Sequence, residues 1–313
     1  MKKLIVIYVL LLCSTGLLYA GDTLEGKFIG YSQPVIGDNW REANHGSFLE
    51  AQKKYGVDVK FAIAEGKQEN QIKHLKSFIA QGVDAIVFSA WVKSGYGPVL
   101  KEIKRAGIPV FLFDRAPDVD NSLYVTLVAG SFIEDGQADA EWLVENLGTK
   151  WNYVSVQGDK ASQPSYEREK GFTDVVKNYP GIKRINTQEG MWNPQQSKEV
   201  MEAMLKANGK DIDVVFVHSD TMIHGVVSAI EEYGLKPGKD IIIASIDGTR
   251  DGLELVAAGK VNVDHEFSPL MGDPLYKAME DYFLGKSVPK KILLENDTFD
   301  QEKAIRDLPT RKF

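Results

Sequence analysis

One residue of the 313 is cysteine, at position 13, so everything after it has to fold without a disulfide or a thiolate metal site. Stability must come from an apolar core, which a chain of this length can supply. The five histidines are scattered, and no H-E-x-x-H pair, G-x-S-x-G elbow, Walker A segment or G-x-G-x-x-G turn occurs. Zinc hydrolysis, nucleophile-elbow chemistry and phosphate-cradling nucleotide sites therefore have no sequence support. DVDNS at 118–122 opens like a calcium loop but lacks its glycine and closing Glu. No metal and no cofactor are expected. Blocks of like charge and Pro/Gly/Ser-rich linkers are also missing, and the balance of 37 basic and 44 acidic residues gives a net charge of -7. An acidic chain with interspersed charge disfavours a nucleic-acid partner.

What is present begins with MKKLIVIYVLLLCSTGLLYA, two lysines and an apolar stretch too short to span a bilayer, ending in a small residue. This reads as a secretory signal over 1–20, cleaved near Ala20. A lipoprotein site at Cys13 is disfavoured by the bulky Leu12 before it. Removing Lys2 and Lys3, with no acid in the segment, takes the formal charge from -7 to -9. Such a leader implies export, hence a periplasmic protein.

The rest alternates strand-like apolar runs with helical patterns. KFIGYS, VDVKFAIA, DAIVFSA and IPVFLFD are separated by amphipathic segments ending at Gly56, Gly82 and Gly107, positions suited to helix stops. That is βαβ winding around a parallel sheet. The rhythm resumes with LYVTLVA, WNYVSVQG, IKRINTQEG, DVVFVHS and DIIIASIDG, with helices beginning near Asp135, Ser165, Gln195, Thr221 and Gly252. Two α/β units of similar build are expected, with a junction near 128–131. A last strand, KKILLEN, and a polar tail close the chain.

Several of these strands end in polar side chains at one edge, where open α/β sheets bind ligands. Asp114 and Arg115 follow IPVFLF; Ser219 and Asp220 follow DVVFVH; Asp247 ends IIIASID; Glu266 ends VDHE. One such acid alone is commonly a helix cap. Repetition across two units points to a shared cleft. Trp40 and Trp192 add aromatic faces, and Arg168 lies on the first turns of a helix. Guanidinium forks and carboxylates bond paired hydroxyls, and rings cover C–H faces, which suits a small polyhydroxylated ligand.

The stretches FIGYSQ, NWREAN, KQENQIKHLKSFIAQGVDAIVFS, IPVFLFDR, REKGF, SKEVMEAML and ASIDGTRDGLE resemble the periplasmic sugar-binding proteins of bacterial ABC transporters, of the ribose-binding-like type I. The resemblance implies a two-lobe α/β fold with a parallel sheet in each lobe and a hinge of three crossings, near 128–131, 264–267 and 286–290. The lobes are then 21–129 with 266–288, and 130–265 with 289–313. It implies a monosaccharide ligand, galactofuranose or a related furanose or pyranose, held by Trp40, Arg41, Asp114 and Arg115 in the first lobe. Arg168, Trp192, Ser219, Asp220, Asp247 and Glu266 complete the set. Ser219 departs from the Asn that many relatives carry, and NPQQ after Trp192 departs from their basic residues.

The implied protein is monomeric, carries sugar to an ABC transporter permease by hinge closure, and is no enzyme. Two rivals differ in output: presentation of sugar to a chemoreceptor or sensor-kinase ectodomain, and sugar processing by paired carboxylates among Asp114, Asp247 and Glu266. A transcription regulator would need a basic helix-turn-helix where the leader stands.

Overall fold

The computed structural model describes residues 24–313; the expected leader, with Cys13 and Ala20, lies outside the described residues. The first half runs β1 (Phe28–Gln33), α1 (Asn39–Tyr55), β2 (Asp58–Ile63), α2 (Gln68–Gln81), β3 (Ala85–Phe88), α3 (Gly97–Arg105), β4 (Val110–Phe113) and β5 (Thr126–Ala129). The second runs α4 (Phe132–Leu147), β6 (Trp151–Gln157), α5 (Gln163–Val176), β7 (Ile182–Glu189), α6 (Pro194–Asn208), β8 (Val214–Val217), α7 (Asp220–Glu232), β9 (Ile242–Asp247), α8 (Arg250–Ala257) and β10 (Val263–Glu266). The chain then returns through α9 (Gly272–Phe283) and β11 (Lys291–Leu293), and ends in β12 (Thr298–Phe299) and α10 (Gln301–Asp307).

Two six-stranded sheets result, ordered β11-β5-β4-β3-β1-β2 and β12-β10-β9-β8-β6-β7. The pairing is parallel throughout except for β12 on β10. Every residue of β3, β4 and β8 is buried, the pattern of central strands covered by helices on both faces. In each sheet the strand order reverses beside the first strand, between β1 and β3 and between β6 and β8. Crevices outside the carboxyl ends of strands open at such points, so both lobes present a ligand-binding edge.

Local chemistry sets the helices. Asp38 caps α1 by accepting from the Arg41 amide at 2.7 Å, and Gly56 and Gly82 close α1 and α2 in the left-handed region. Between α4 and α5 the backbones nearly touch: a Cβ on Gly136 would lie 2.0 Å from the Arg168 carbonyl oxygen, and one on Gly171 2.0 Å from that of Ile133. That approach brings Arg168 on α5 against Asp135 on α4.

One boundary differs from expectation. KKILLEN does not belong to the second lobe: β11 pairs with β5, Lys291 opposite Leu127 and Leu293 opposite Ala129, at the edge of the first sheet. The third crossing therefore lies at 294–297, between β11 and β12, not at 286–290. Only Ile292 of the three strand residues is even half-buried, so its sequence carried no sign of which sheet it would join.

Candidate functional site

Between the lobes lies a cavity of about 240 Å³. Trp40, Arg41, Asp114 and Arg115 line it from the first lobe, and Arg168, Trp192, Ser219 and Asp247 from the second. Eight of the ten residues singled out in the sequence thus meet at one place. Its volume falls below the roughly 300–1,000 Å³ of drug-sized ligand sites, so its occupant is small.

The two walls are built alike. In the first lobe, Asp114 follows β4 in the left-handed region, φ 59°, and accepts from Arg41 Nη1 of α1 at 2.6 Å and from the Ser89 hydroxyl, just past β3, at 3.1 Å. In the second, Asp247 ends β9 at φ 128° and accepts from Arg168 Nη2 of α5 at 2.9 Å and from the Ser219 hydroxyl, just past β8, at 2.6 Å. An acid, an arginine and a serine thus occupy corresponding strand ends and helices in both sheets. Positive φ in a non-glycine residue is costly and persists where the surroundings over-determine it. Here it turns both carboxylates toward the cavity.

The arginines are not equivalent. Burial opposes the charge on Arg41, but Asp114 and Asp38 together outweigh it and hold the guanidinium above its ordinary pKa. Arg168 behaves likewise, with Asp247 and then Asp135 as its acids, and its Nη1 also donates to the His218 carbonyl at 2.5 Å. Burial, reinforced by the like charge of Arg41, lowers Arg115 to about 10. Its nearest acid, Asp114, is 3.5 Å away and already engaged, and its Nε and Nη1 have no hydrogen-bond partner among the described residues. Buried guanidinium donors without acceptors mark a place for a ligand oxygen.

Aromatic rings close the cavity. Trp40 stands at the start of α1 and donates its indole N–H to the Phe267 carbonyl at 2.5 Å. Met191 and Trp192 both sit at φ 56°, and Gly158 leaves the gap into which the Trp192 ring fits, since a Cβ there would be 2.0 Å from it.

Asp220 and Glu266 are not part of the lining. Asp220 opens α7 but turns beneath the sheet, accepting from Ser245 at 2.7 Å and from the Thr249 amide and hydroxyl at 2.8 and 2.9 Å. Glu266 pairs with Arg311 at 3.0 Å on the far side of the Asp247 turn. A strand-end position gave each acid the right address; side-chain direction took it elsewhere. The sequence reading missed Asp38, Trp91, Phe132 and Phe267, which also line the cavity. Trp91 follows β3 and carried the same strand-end signal as Asp114. Phe132 stands just past the first crossing and Phe267 at the start of the second, and their rings stack at 4.6 Å, a pairing no local pattern announces.

Behind the second wall, Asp135, Asp139, Asp220 and Asp264 are buried together. Burial raises Asp135 to about 8 and, helped by the charge of Asp247, Asp220 to about 7; it holds Asp139 and Asp264 well above the carboxylate range. Neither carboxyl oxygen of Asp139 has a hydrogen-bond partner among the described residues.

Residues 29–287 match the family described as periplasmic binding protein domain. The galactofuranose-binding protein YtfQ of Escherichia coli K12 is 43% identical over 274 residues, 86% of either chain. Two solved structures superpose closely. The periplasmic binding protein of the arabinose ABC transporter from Shewanella sp. ANA-3, bound to α- and β-L-arabinofuranose, has a TM-score of 0.88 and 41% identity, covering 91% of this chain and 95% of its own. A Mycobacterium smegmatis protein in complex with β-D-fucofuranose has a TM-score of 0.87 and 38% identity, covering 91% and 94%.

Proposed function

The chain belongs to the periplasmic binding protein family, binding proteins and not enzymes, and from that premise we propose that its interlobe cavity captures a furanose sugar for delivery to an ABC transporter permease. The observation that carries the reading is Arg115, buried beside the Arg41–Asp114 pair in the lining of a small, aromatic-walled cavity, with two donors unmet among the described residues. A sugar ring or hydroxyl oxygen supplies the missing acceptor. The similar proteins named for galactofuranose or solved with arabinofuranose and fucofuranose support the five-membered ring.

In this reading Trp40 and Trp192 face opposite sides of the ring, and the two Asp-Arg-Ser walls divide its hydroxyls. Closure joins the walls: Asn39 Nδ2 of α1 donates to Asp251 of α8 at 2.6 Å across the mouth, and Lys93 stands 3.4 Å from Glu167 of α5. Ligand thus selects a closed shape for a membrane partner to recognise. Residues 1–20 act as the cleaved export signal. Titration calorimetry with galactose, arabinose and fucose, beside ribose, fructose and glucose, tests the proposal. Micromolar binding confined to sugars that populate a furanose ring is expected, about -8 kcal/mol at 1 μM. Silence across the panel, or equal heat from glucose, overturns it.

A further inference from the structure

The last residues of the chain wrap the turn that carries Asp247. Arg250, one turn further on, donates its amide N–H to the Phe313 carbonyl at 2.5 Å, and its Nη2 reaches the carbonyls of Leu308 and Arg311 at 3.2 and 3.4 Å. Arg311 makes the central contact. Its Nε donates to the Gly248 carbonyl at 2.6 Å and its Nη1 to Glu266 Oε2 at 3.0 Å. The guanidinium lies over the rings of Phe299 and Phe313, 5.0 and 4.0 Å from their centroids, with its side chain 10% exposed.

These partners lie on the two pieces of backbone that shape the second wall. Gly248 follows Asp247, whose φ of 128° no ordinary turn maintains, and Glu266 precedes Phe267, which enters the second crossing. Phe267 accepts from Trp40 through its carbonyl, donates its amide to the Asp247 carbonyl at 3.2 Å and stacks on Phe132. Arg311 therefore ties the Asp247 turn to the hinge strand from outside and is not itself part of the cavity lining.

We propose that Arg311 is a positioning residue for sugar binding: by bridging Gly248 and Glu266 it holds Asp247 in its left-handed conformation and couples that acid to the second crossing. The C-terminal tail is then part of the binding machinery. The role as written rests on the sugar-binding reading, but its mechanical half does not. Without the bridge, Asp247 relaxes toward an ordinary backbone conformation, and its carboxylate leaves the geometry shared with Arg168 and Ser219.

Two measurements on the full chain test this, with Arg311→Gln, which keeps polarity and most of the length, and Arg311→Lys, which retains charge but not the fork. Hydrogen–deuterium exchange on the ligand-free protein should show faster exchange confined to the Gly248, Thr249 and Gly252 amides in Arg311→Gln. Calorimetry with whichever panel sugar binds the parent protein best should show roughly tenfold weaker binding in Arg311→Gln, partly recovered in Arg311→Lys. In an Asp247→Asn background, Arg311→Gln should add little further loss, because both changes act through one carboxylate. Unchanged exchange at the turn, exchange raised uniformly through the second lobe, or undiminished affinity would each overturn the proposal. If the parent protein binds no sugar of the panel, the ligand reading fails separately, and the exchange result still judges Arg311.

Discussion

Asp114 and Asp247 hold the site's chemistry in opposite lobes, yet each is bound to an arginine and a serine of its own lobe. Their pairs therefore survive opening, which separates preorganisation from capture. Asp114→Asn keeps the size and one acceptor but leaves Arg41 and Arg115 adjacent with only Asp38 as a counter-charge. Affinity should fall about ten- to a hundredfold, the scale of one charge-assisted bond. The ligand-free melting temperature should fall too, because both guanidiniums are buried. Calorimetry and thermal unfolding of this variant check the two effects; a normal melting point with lost affinity would place Asp114 outside the lobe's own framework. At this scale the sequence was readable where backbone position decides the outcome. Asp114, Arg115 and Asp247 follow from the ends of apolar strands. Asp220 and Glu266 share that address but turn to Thr249 and Arg311, and only tertiary contacts determine which way a strand-end carboxylate points. Arg168 shows the reverse: a helix position that defaults to solvent is buried because two acids and a carbonyl await it.

Among the elements, the pair α4 and α5 does the most to place the second wall. With no side chain at Gly136 or Gly171 the helices meet backbone to backbone, and Arg168 can span from Asp135 to Asp247. Gly136→Ala would set a methyl 2.0 Å from the Arg168 carbonyl oxygen, so the helices must separate. Overpacking of this kind should cost about 1–3 kcal/mol in urea unfolding. Sugar affinity should drop as Arg168 shifts, whereas Gly46→Ala, in open space inside α1, should leave affinity unchanged and raise stability by up to about 1 kcal/mol. Binding that survives in Gly136→Ala at full strength would contradict the role given to this contact. Fully apolar strands and glycine-stopped helices made nearly all of the α/β winding legible, since burial on both faces leaves an unbroken apolar run. The short edge strand β11 was legible as a strand but not as a member of the first sheet, because three residues of which only Ile292 is half-buried carry no partner information.

For the whole molecule, two lobes, three crossings and a cluster of buried acids give stability an uncommon dependence on pH. Asp135, Asp139, Asp220 and Asp264 hold protons in the folded protein that the unfolded chain releases above about pH 4. Raised carboxyl pKa values stabilise the fold at low pH, and that contribution is lost as pH rises toward the folded values near 7 and 8. Facing them, His265 is lowered to about 4 and His218 is also lowered, both chiefly by burial, while Arg168 stays charged. The histidines oppose the acids below about pH 6.5 but are neutral in both states above it. Between pH 6.5 and 8 stability should therefore decline, by about 1.4 kcal/mol per pH unit for each carboxyl still protonated. Asp139→Asn should make the decline shallower in urea unfolding at the two pH values; stability that rises across this window would refute the protonated cluster. Saturation with sugar at a hundredfold over its dissociation constant should add about 2.7 kcal/mol at either pH. Whether the cleft is shaped for a five-membered ring can be read by NMR of the protein with galactose and arabinose labelled with carbon-13 at C1. The bound sugar should give a furanose anomeric resonance although the pyranose dominates free in solution. A bound pyranose resonance, or no bound signal from either sugar, would contradict it.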